Sequence, residues 1–408
     1  MKKILLYRFL LIILLASAFS CTTPYNYQSN GFEDIIVIEA TITNENKYQE
    51  IKLSRTYTLE ESSQKFETEA VVYVTDNTGN KYEFDEGEES YISINKFQAS
   101  HDREYQLHIL TKDGKSYLSR TEKLTTQNPI ENLQARAVNK EGVTGVEITV
   151  NSFDPTNTSK YYRYEYEETY KVIAPLWSPE KAVAVFFSPG SNPKGKIIIE
   201  ERTTEARVCY LNEVSTDLIL TNTNKLSEDK VIDFPVRFIS SKNPIIRNRY
   251  SILVKQYVQS LAAHTFYETL KKISSDGSIL SQTQPGFFYG NIKSVDNPRE
   301  KVIGFFDVSS YSEKRLFFNF SDILPDIQRP NYQYECPAID PENPVNPFLY
   351  NYCFSPTPSC QGNLILDFIQ NRDMVLVSYI GTKYTLFPIE CGDCTSFSSN
   401  IKPTFWID

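Results

Sequence analysis

Histidine is almost missing from this sequence. Three occur in 408 residues, His101, His108 and His264, and none forms a close pair or an H-x-x-x-H array. Each therefore reads as a structural residue, His264 on a helix surface. Gly-x-Ser-x-Gly elbows, P-loops and dinucleotide-binding glycine fingerprints are absent too. Their absence removes the commonest signatures of acyl transfer, phosphoryl transfer and nicotinamide chemistry. No Asp-x-Asp-x-Asp-Gly calcium loop occurs. Positive charge is in deficit, with 42 Lys and Arg against 51 Asp and Glu. Nucleic acid and anionic lipid surfaces are thus excluded as default partners. Beyond the N-terminus no stretch approaches the roughly 18 apolar residues of a spanning helix. No residue set specifies a catalytic centre or a cofactor.

What is present begins at the N-terminus. Lys2, Lys3 and Arg8 precede an apolar run over residues 9–15, and Ala16, Ser17, Ala18 and Ser20 lead into Cys21. That layout is a secretory signal over residues 1–20. Ala18-Phe19-Ser20-Cys21 resembles the bacterial lipobox, where a diacylglycerol is placed on the cysteine thiol and the exposed amine is then acylated. Cleavage by ordinary signal peptidase after Ala18 is the alternative. Cys21 is the expected lipidation site, followed by a polar tether over residues 21–31. Several acyl chains anchor a protein stably where one does not. Cleavage before Cys21 leaves 388 residues with 39 basic and 51 acidic side chains, a net of −12.

Export sets the redox context. Setting Cys21 aside leaves Cys209, Cys336, Cys353, Cys360, Cys391 and Cys394. An even set in an oxidising compartment reads as structural disulfides, with 15 connectivities open. Cys391-Gly392-Asp393-Cys394 has half of a zinc-ribbon spacing, but no second close pair and no nearby histidine complete it.

The rest of the chain reads as mainly β. Tyr and Phe number 27 and 25, and Ile, Val and Thr are frequent. Residues 35–43 are the first strand candidate, apolar and polar residues alternate over 51–59 except at Arg55, and strand patterns recur at 70–74, 81–84, 91–94, 105–109 and 117–118. Asp113-Gly114 marks a hairpin between the last two. The spacing predicts an immunoglobulin-like β-sandwich over residues 32–125. A linker over residues 125–128 precedes Pro129.

A larger β-rich domain is expected over residues 129–408. Tyr162, Tyr164 and Tyr166 alternate with Arg163, Glu165 and Glu167, which predicts a sheet with an aromatic core face and a wet face. Further strands are expected at 146–150, 208–211, 250–257, 302–308, 315–320, 375–379 and 384–387. One helix is predicted over about 261–273, capped by Ser260, with Ala263, Phe266, Tyr267, Leu270 and Ile273 on one side. Residues 324–361 carry eight of the 21 prolines and three cysteines, and read as a disulfide-pinned excursion. The acidic runs Asp85, Glu86, Glu88, Glu89 and Glu165, Glu167, Glu168 read as solvated faces.

The segments 36–43, 51–55, 250–257, Gly290-Asn291-Ile292, 302–306, Lys314-Arg315, Cys391-Gly392-Asp393-Cys394 and 402–406 together resemble the DUF4249 family of Bacteroidota outer-membrane lipoproteins. The resemblance runs in order over nearly the whole mature chain. It implies a lipid-anchored accessory or binding role beside a TonB-dependent outer-membrane receptor, without catalysis. Residues 22–26 carry no acid, and the first acid is Glu33, so both the periplasmic and the surface face of the outer membrane stay open. A surface adhesin or hydrolase acting on glycans or proteins is the alternative.

Overall fold

The computed structural model describes residues 34–56, 65–191, 195–275, 289–336, 349–351, 362–381 and 383–408. The chain is mainly β, with 51% strand and 11% helix, as its aromatic and β-branched composition predicts.

The first body contains β1 (Ile36–Thr43), β2 (Glu50–Arg55), β3 (Lys65–Phe66), β4 (Val71–Asp76), β5 (Lys81–Glu86), β6 (Tyr91–Ser93), β7 (Glu104–Leu110), β8 (Ser116–Ser119) and β9 (Glu122–Lys123). Alternation decides which side chains face inward. In β4 and β7, Val72, Val74, Tyr105, Leu107 and Ile109 are buried while their neighbours face out. The hydrogen-bonded order is β1-β2-β6-β5-β4-β7-β8.

The second body contains β10 (Ile130–Lys140), β11 (Val143–Asp154), β12 (Tyr161–Ile173), β13 (Glu180–Phe186), β14 (Gly195–Glu201), β15 (Val208–Val214), β16 (Ile219–Asn222), β17 (Asp229–Ser240) and β18 (Arg249–Gln259). After it come α1 (Leu261–Ser275), β19 (Ile292–Ser294) and β20 (Val302–Asn319). The chain finishes with α2 (Phe320–Ile323), β21 (Leu349–Asn351), α3 (Gly362–Gln370), β22 (Met374–Ile380), β23 (Lys383–Pro388) and α4 (Ile389–Gly392). The sheet β15-β12-β18-β20 faces the three-stranded sheet β10-β11-β17. Tyr162, Tyr164, Tyr166 and Tyr170 of β12 fill the space between them against Val146, Ile148 and Val150 of β11. The tyrosine stripe is thus a core face.

Two features depart from the sequence reading. The expected strands at 302–308 and 315–320 are one strand, β20, which ends at Asn319. Its polar middle looks like a turn in sequence, yet Glu313 and Lys314 stay in register with Lys255 and Val254 of β18. The first body also draws on later sequence. β1 pairs parallel with the first half of β20, β8 pairs with β19, and Ile292, Val302, Phe306 and Val308 join its core. The second half of β20 pairs antiparallel with β18. One strand therefore belongs to both bodies. The connection at 125–128 is pinned to the second body: Thr125 Oγ1 donates to Val258 O at 2.7 Å, and Asn128 Nδ2 to the Tyr162 hydroxyl at 2.7 Å.

β22 and β23 with α3 bury Ile365, Leu366, Leu376 and Leu386 against the β13-β14 hairpin. The helix α3 is absent from the sequence reading, although Ile365, Leu366 and Ile369 recur at helical spacing.

Candidate functional site

The helix α1 lies over the outer faces of β1, β12 and β20, at the junction of the two bodies. Ser260 caps it, accepting from Ala263 N at 3.1 Å. Ala263, Phe266, Tyr267 and Leu270 form its inward stripe, and Phe266 packs on Phe305 of β20 at 5.6 Å between ring centroids. The chain then returns beside β20 through Gly290, where a Cβ would stand 1.6 Å from Gly304 O. Gly304 itself has φ +154°, and its Cβ would stand 2.3 Å from Ile38 O. Only glycine permits these approaches. Asn291 then acts as a surrogate strand residue. Its Nδ2 donates to Phe306 O at 2.9 Å, and Phe306 N donates to its Oδ1 at 2.8 Å.

The arrangement leaves a groove of about 1240 Å³ between α1, the outer faces of β1, β2, β12 and β20, and the segment 215–220. Glu39, Glu50, Lys52, Asp217 and Lys271 give it a mixed-charge rim, while Tyr257, Tyr267, Leu270 and Phe305 give it apolar walls. A second cavity of about 840 Å³ opens on the other flank of α1, beside Thr265, Tyr289 and Glu300.

A buried polar cluster lies under α1. Arg163 is 7% exposed, stacks at 4.1 Å on the Tyr257 ring and 5.0 Å on the Tyr267 ring, and pairs with Glu165. Burial works against its charge, but the Tyr267 hydroxyl and Glu165 carboxylate beside it hold its pKa above the ordinary value. Asp307 is 1% exposed and accepts from Ser309 Oγ at 2.7 Å and Gln259 Nε2 at 3.2 Å. Burial pushes its carboxyl up. Arg163 Nε, Gln259 Oε1 and His264 Nδ1 are buried with no partner among the described residues. Buried donors and acceptors are paired in most cores, so three unpaired ones are uncommon.

Two sequence expectations change here. The Arg163 side of β12 is wet only in part: α1 covers Arg163, while Glu165 and Glu167 on the same side stay half-exposed. His264 is not on the helix surface, because it turns under α1 to pack beside Tyr161 at 5.1 Å. Periodicity within one segment cannot show which element will cover it. The acidic run at 165–168 also divides. Glu165 pairs with Arg163 and Glu167 with Lys255. Glu168 is buried, held by Arg237 at 3.0 Å and by the Tyr250 hydroxyl. Asp85, Glu86, Glu88 and Glu89 are exposed. His108 stacks on Tyr73 at 4.6 Å, and His101 is exposed. Among the described residues no group of three or more His, Cys, Asp or Glu is placed to hold a metal.

Four cysteines form two bridges. Cys209 of β15 joins Cys394, and Cys336 joins Cys391, with Cα atoms 5.9 and 5.7 Å apart. The close pair Cys391 and Cys394 is thus split between two partners, one in β15 and one within the proline-rich excursion. Arg202 anchors the same turn through Asp393 at 3.2 Å. Cys21, Cys353 and Cys360 lie outside the described residues.

Residues 22–315 match the family described as a domain of unknown function, DUF4249. The chain belongs to that family. No curated protein matches it. The DUF4249 match takes in the whole groove, from β1 to Phe305, and the Gly290–Gly304 approach behind it. It ends within β20, so Cys336, Cys391 and Cys394 follow it in sequence.

Proposed function

We propose that this DUF4249 protein is a lipid-anchored binding protein of the Bacteroidota outer membrane that works with a TonB-dependent transporter and catalyses no reaction. The groove beside α1 is its ligand site, and it is the observation that carries the reading. At about 1240 Å³ it exceeds the usual range of small-molecule pockets, roughly 300–1,000 Å³, which suits an extended ligand such as a peptide or an oligosaccharide. Aromatic walls with a mixed-charge rim bind such chains by stacking and scattered hydrogen bonds. The secretory layout before Cys21 and the two disulfides support an exported, oxidising location.

The test is purification of the full chain from outer membranes in mild detergent, beside a Ser274→Trp variant that fills the groove rim and a Cys21→Ala variant. A TonB-dependent receptor should come with the native chain, and a peptide or oligosaccharide that comes with it should be lost from the groove variant. The Cys21→Ala chain should move to the soluble periplasmic fraction. Retention of the Cys21→Ala chain on the membrane would sink the anchor. An identical yield of bound peptide or oligosaccharide from the Ser274→Trp chain would remove the groove from the account.

A further inference from the structure

A second, smaller pocket has the opposite electrostatic character. Strand register builds it. Tyr170 of β12 pairs with Tyr250 of β18, and Arg249 pairs with Asn319 of β20, so Lys171, Arg249 and Asn319 stand side by side at the ends of three neighbouring strands. Arg247, Asn248 and Arg329 complete the wall of a cavity of about 300 Å³. Four cations thus converge in a chain whose formal net charge is −9. Like charges so close repel one another unless an anion joins them.

One internal carboxylate reaches into this pocket. Trp406 is 5% exposed and packs on Tyr210 at 5.0 Å and Phe317 at 5.6 Å, while Arg249 Nε donates to Ile407 O. That docking brings Asp408 Oδ1 to 3.1 Å from Lys171 Nζ, with Oδ2 at 2.6 Å from Lys402 Nζ outside the pocket. The two ammonium groups, Lys402 before Lys171, hold the Asp408 carboxyl below its ordinary range. The other cations are not neutralised by it. Arg247 donates to Pro330 O, Arg249 Nη1 to Asn319 Oδ1 at 3.2 Å, and Arg329 has no partner among the described residues. Guanidinium forks match tetrahedral and planar oxyanions, and surplus positive charge favours a dianion over a carboxylate.

We propose that this pocket binds a phosphate-type oxyanion carried by a soluble small molecule, with Asp408 as its built-in competitor. The site is independent of the groove. A lipid headgroup is disfavoured by position. On the anchoring at Cys21 proposed above, the chain enters the body at β1, whose Ile36 pairs with Val302, whereas the pocket lies at Asn319. At about 3.3 Å per residue along β20, those ends are up to about 55 Å apart.

The experiment titrates the mature chain carrying Cys21→Ala, at low salt, with inorganic phosphate and with glucose 6-phosphate by calorimetry. Cosedimentation with phosphatidylglycerol vesicles forms a third arm. Phosphate should bind, more weakly as sodium chloride is added. Arg329→Ala combined with Lys171→Ala should weaken it about tenfold or more, the loss expected for charge-assisted hydrogen bonds. Asp408→Asn should tighten it. Arg329 is exposed and unpartnered, so Arg329→Ala alone should leave thermal unfolding unchanged while still weakening phosphate. No heat from either soluble ligand with both the parent chain and the Asp408→Asn chain would overturn the proposal. So would an affinity indifferent to the Arg329 and Lys171 changes, or binding to the vesicles alone.

Discussion

The first body buries mainly hydrocarbon: Ile36, Ile38, Val72, Val74, Leu107 and Ile109 are all 3% exposed or less, beside a smaller set of polar side chains that includes Gln49 and Asp76. The second body buries charge and hydroxyls beside its hydrocarbon. Glu168 is held between Arg237 and Tyr250. Asp229 is 0% exposed and accepts from Tyr162 at 2.7 Å and Thr223 at 2.5 Å. Hydrocarbon packing is non-directional and tolerates adjustment, whereas a buried polar network fixes distances because every lost partner leaves a desolvated group. Disulfides add to that rigidity, and both of them lie in the second body and its C-terminal extension. The groove forms where these two bodies meet, with Glu39, Glu50 and Lys52 from the first and Arg163 and Tyr257 from the second.

The comparison breaks most severely if the two bodies are separated. A fragment of residues 32–125 lacks β19 and β20, and with them the buried side chains Ile292, Val302, Phe306 and Val308. At roughly 1.5–3 kcal/mol for each, their loss rivals the whole stability of a typical domain. The fragment alone should show no cooperative denaturant transition. Joining residues 289–309 to it through a flexible linker should restore one. A sharp transition from residues 32–125 alone would show that β20 is an accessory to that core.

Reduction should act on one side of the comparison only. The bridges close chain separations of 185 and 55 residues, worth roughly 4–5 kcal/mol each by the chain-entropy estimate. In hydrogen exchange with reductant, amides of β15 and of residues 389–396 should lose protection while those of β4 and β7 keep it. Equal loss in β4 and β7 would mean that β20 couples the bodies into one cooperative unit.

The sequence pattern made these two bodies unequally legible. In β4, β7 and β8 the alternation alone identifies the strand and its inward face. In β12 the tyrosines announce a core, but Arg163 and Glu168 look solvated until α1 and β17 are placed over them. The helix α1 is visible from its cap and its apolar spacing; the surface it covers is not. Groove residues come from Glu39 to Phe305, so no local motif could assemble them. Gly290 and Gly304 carried a readable signal, glycine inside strand-like sequence, which marks close backbone approach. The cysteine pairing was beyond reach, since spacing does not choose among connectivities.

The smallest expected effect lies at the junction and depends on pH. His264 is 2% exposed, faces the Tyr161 ring, and has Glu268 Oε1 3.4 Å from its Nε2. Burial lowers its pKa, with Glu268 pulling the other way. Above about pH 6.5 the imidazole is neutral in both the folded and unfolded chain, and its contribution is fully present. As the pH falls below that value the unfolded chain takes up the proton first, so stability is lost until the folded pKa is reached. Asp307 acts in the opposite sense. Its raised pKa makes the folded chain hold the proton longer, so stability falls as pH rises from about 4 toward the raised value. The two slopes separate by substitution. Urea midpoints of the native chain and of His264→Leu, measured from pH 8 to pH 5, should keep a constant separation at the alkaline end, and below about 6.5 the native midpoint should fall relative to that of the variant. Curves that stay parallel below about 6.5 as well would mean that His264 takes up its proton within the fold, with Glu268 closing on it as a partner. The junction would then be as well paired as the rest of the second body.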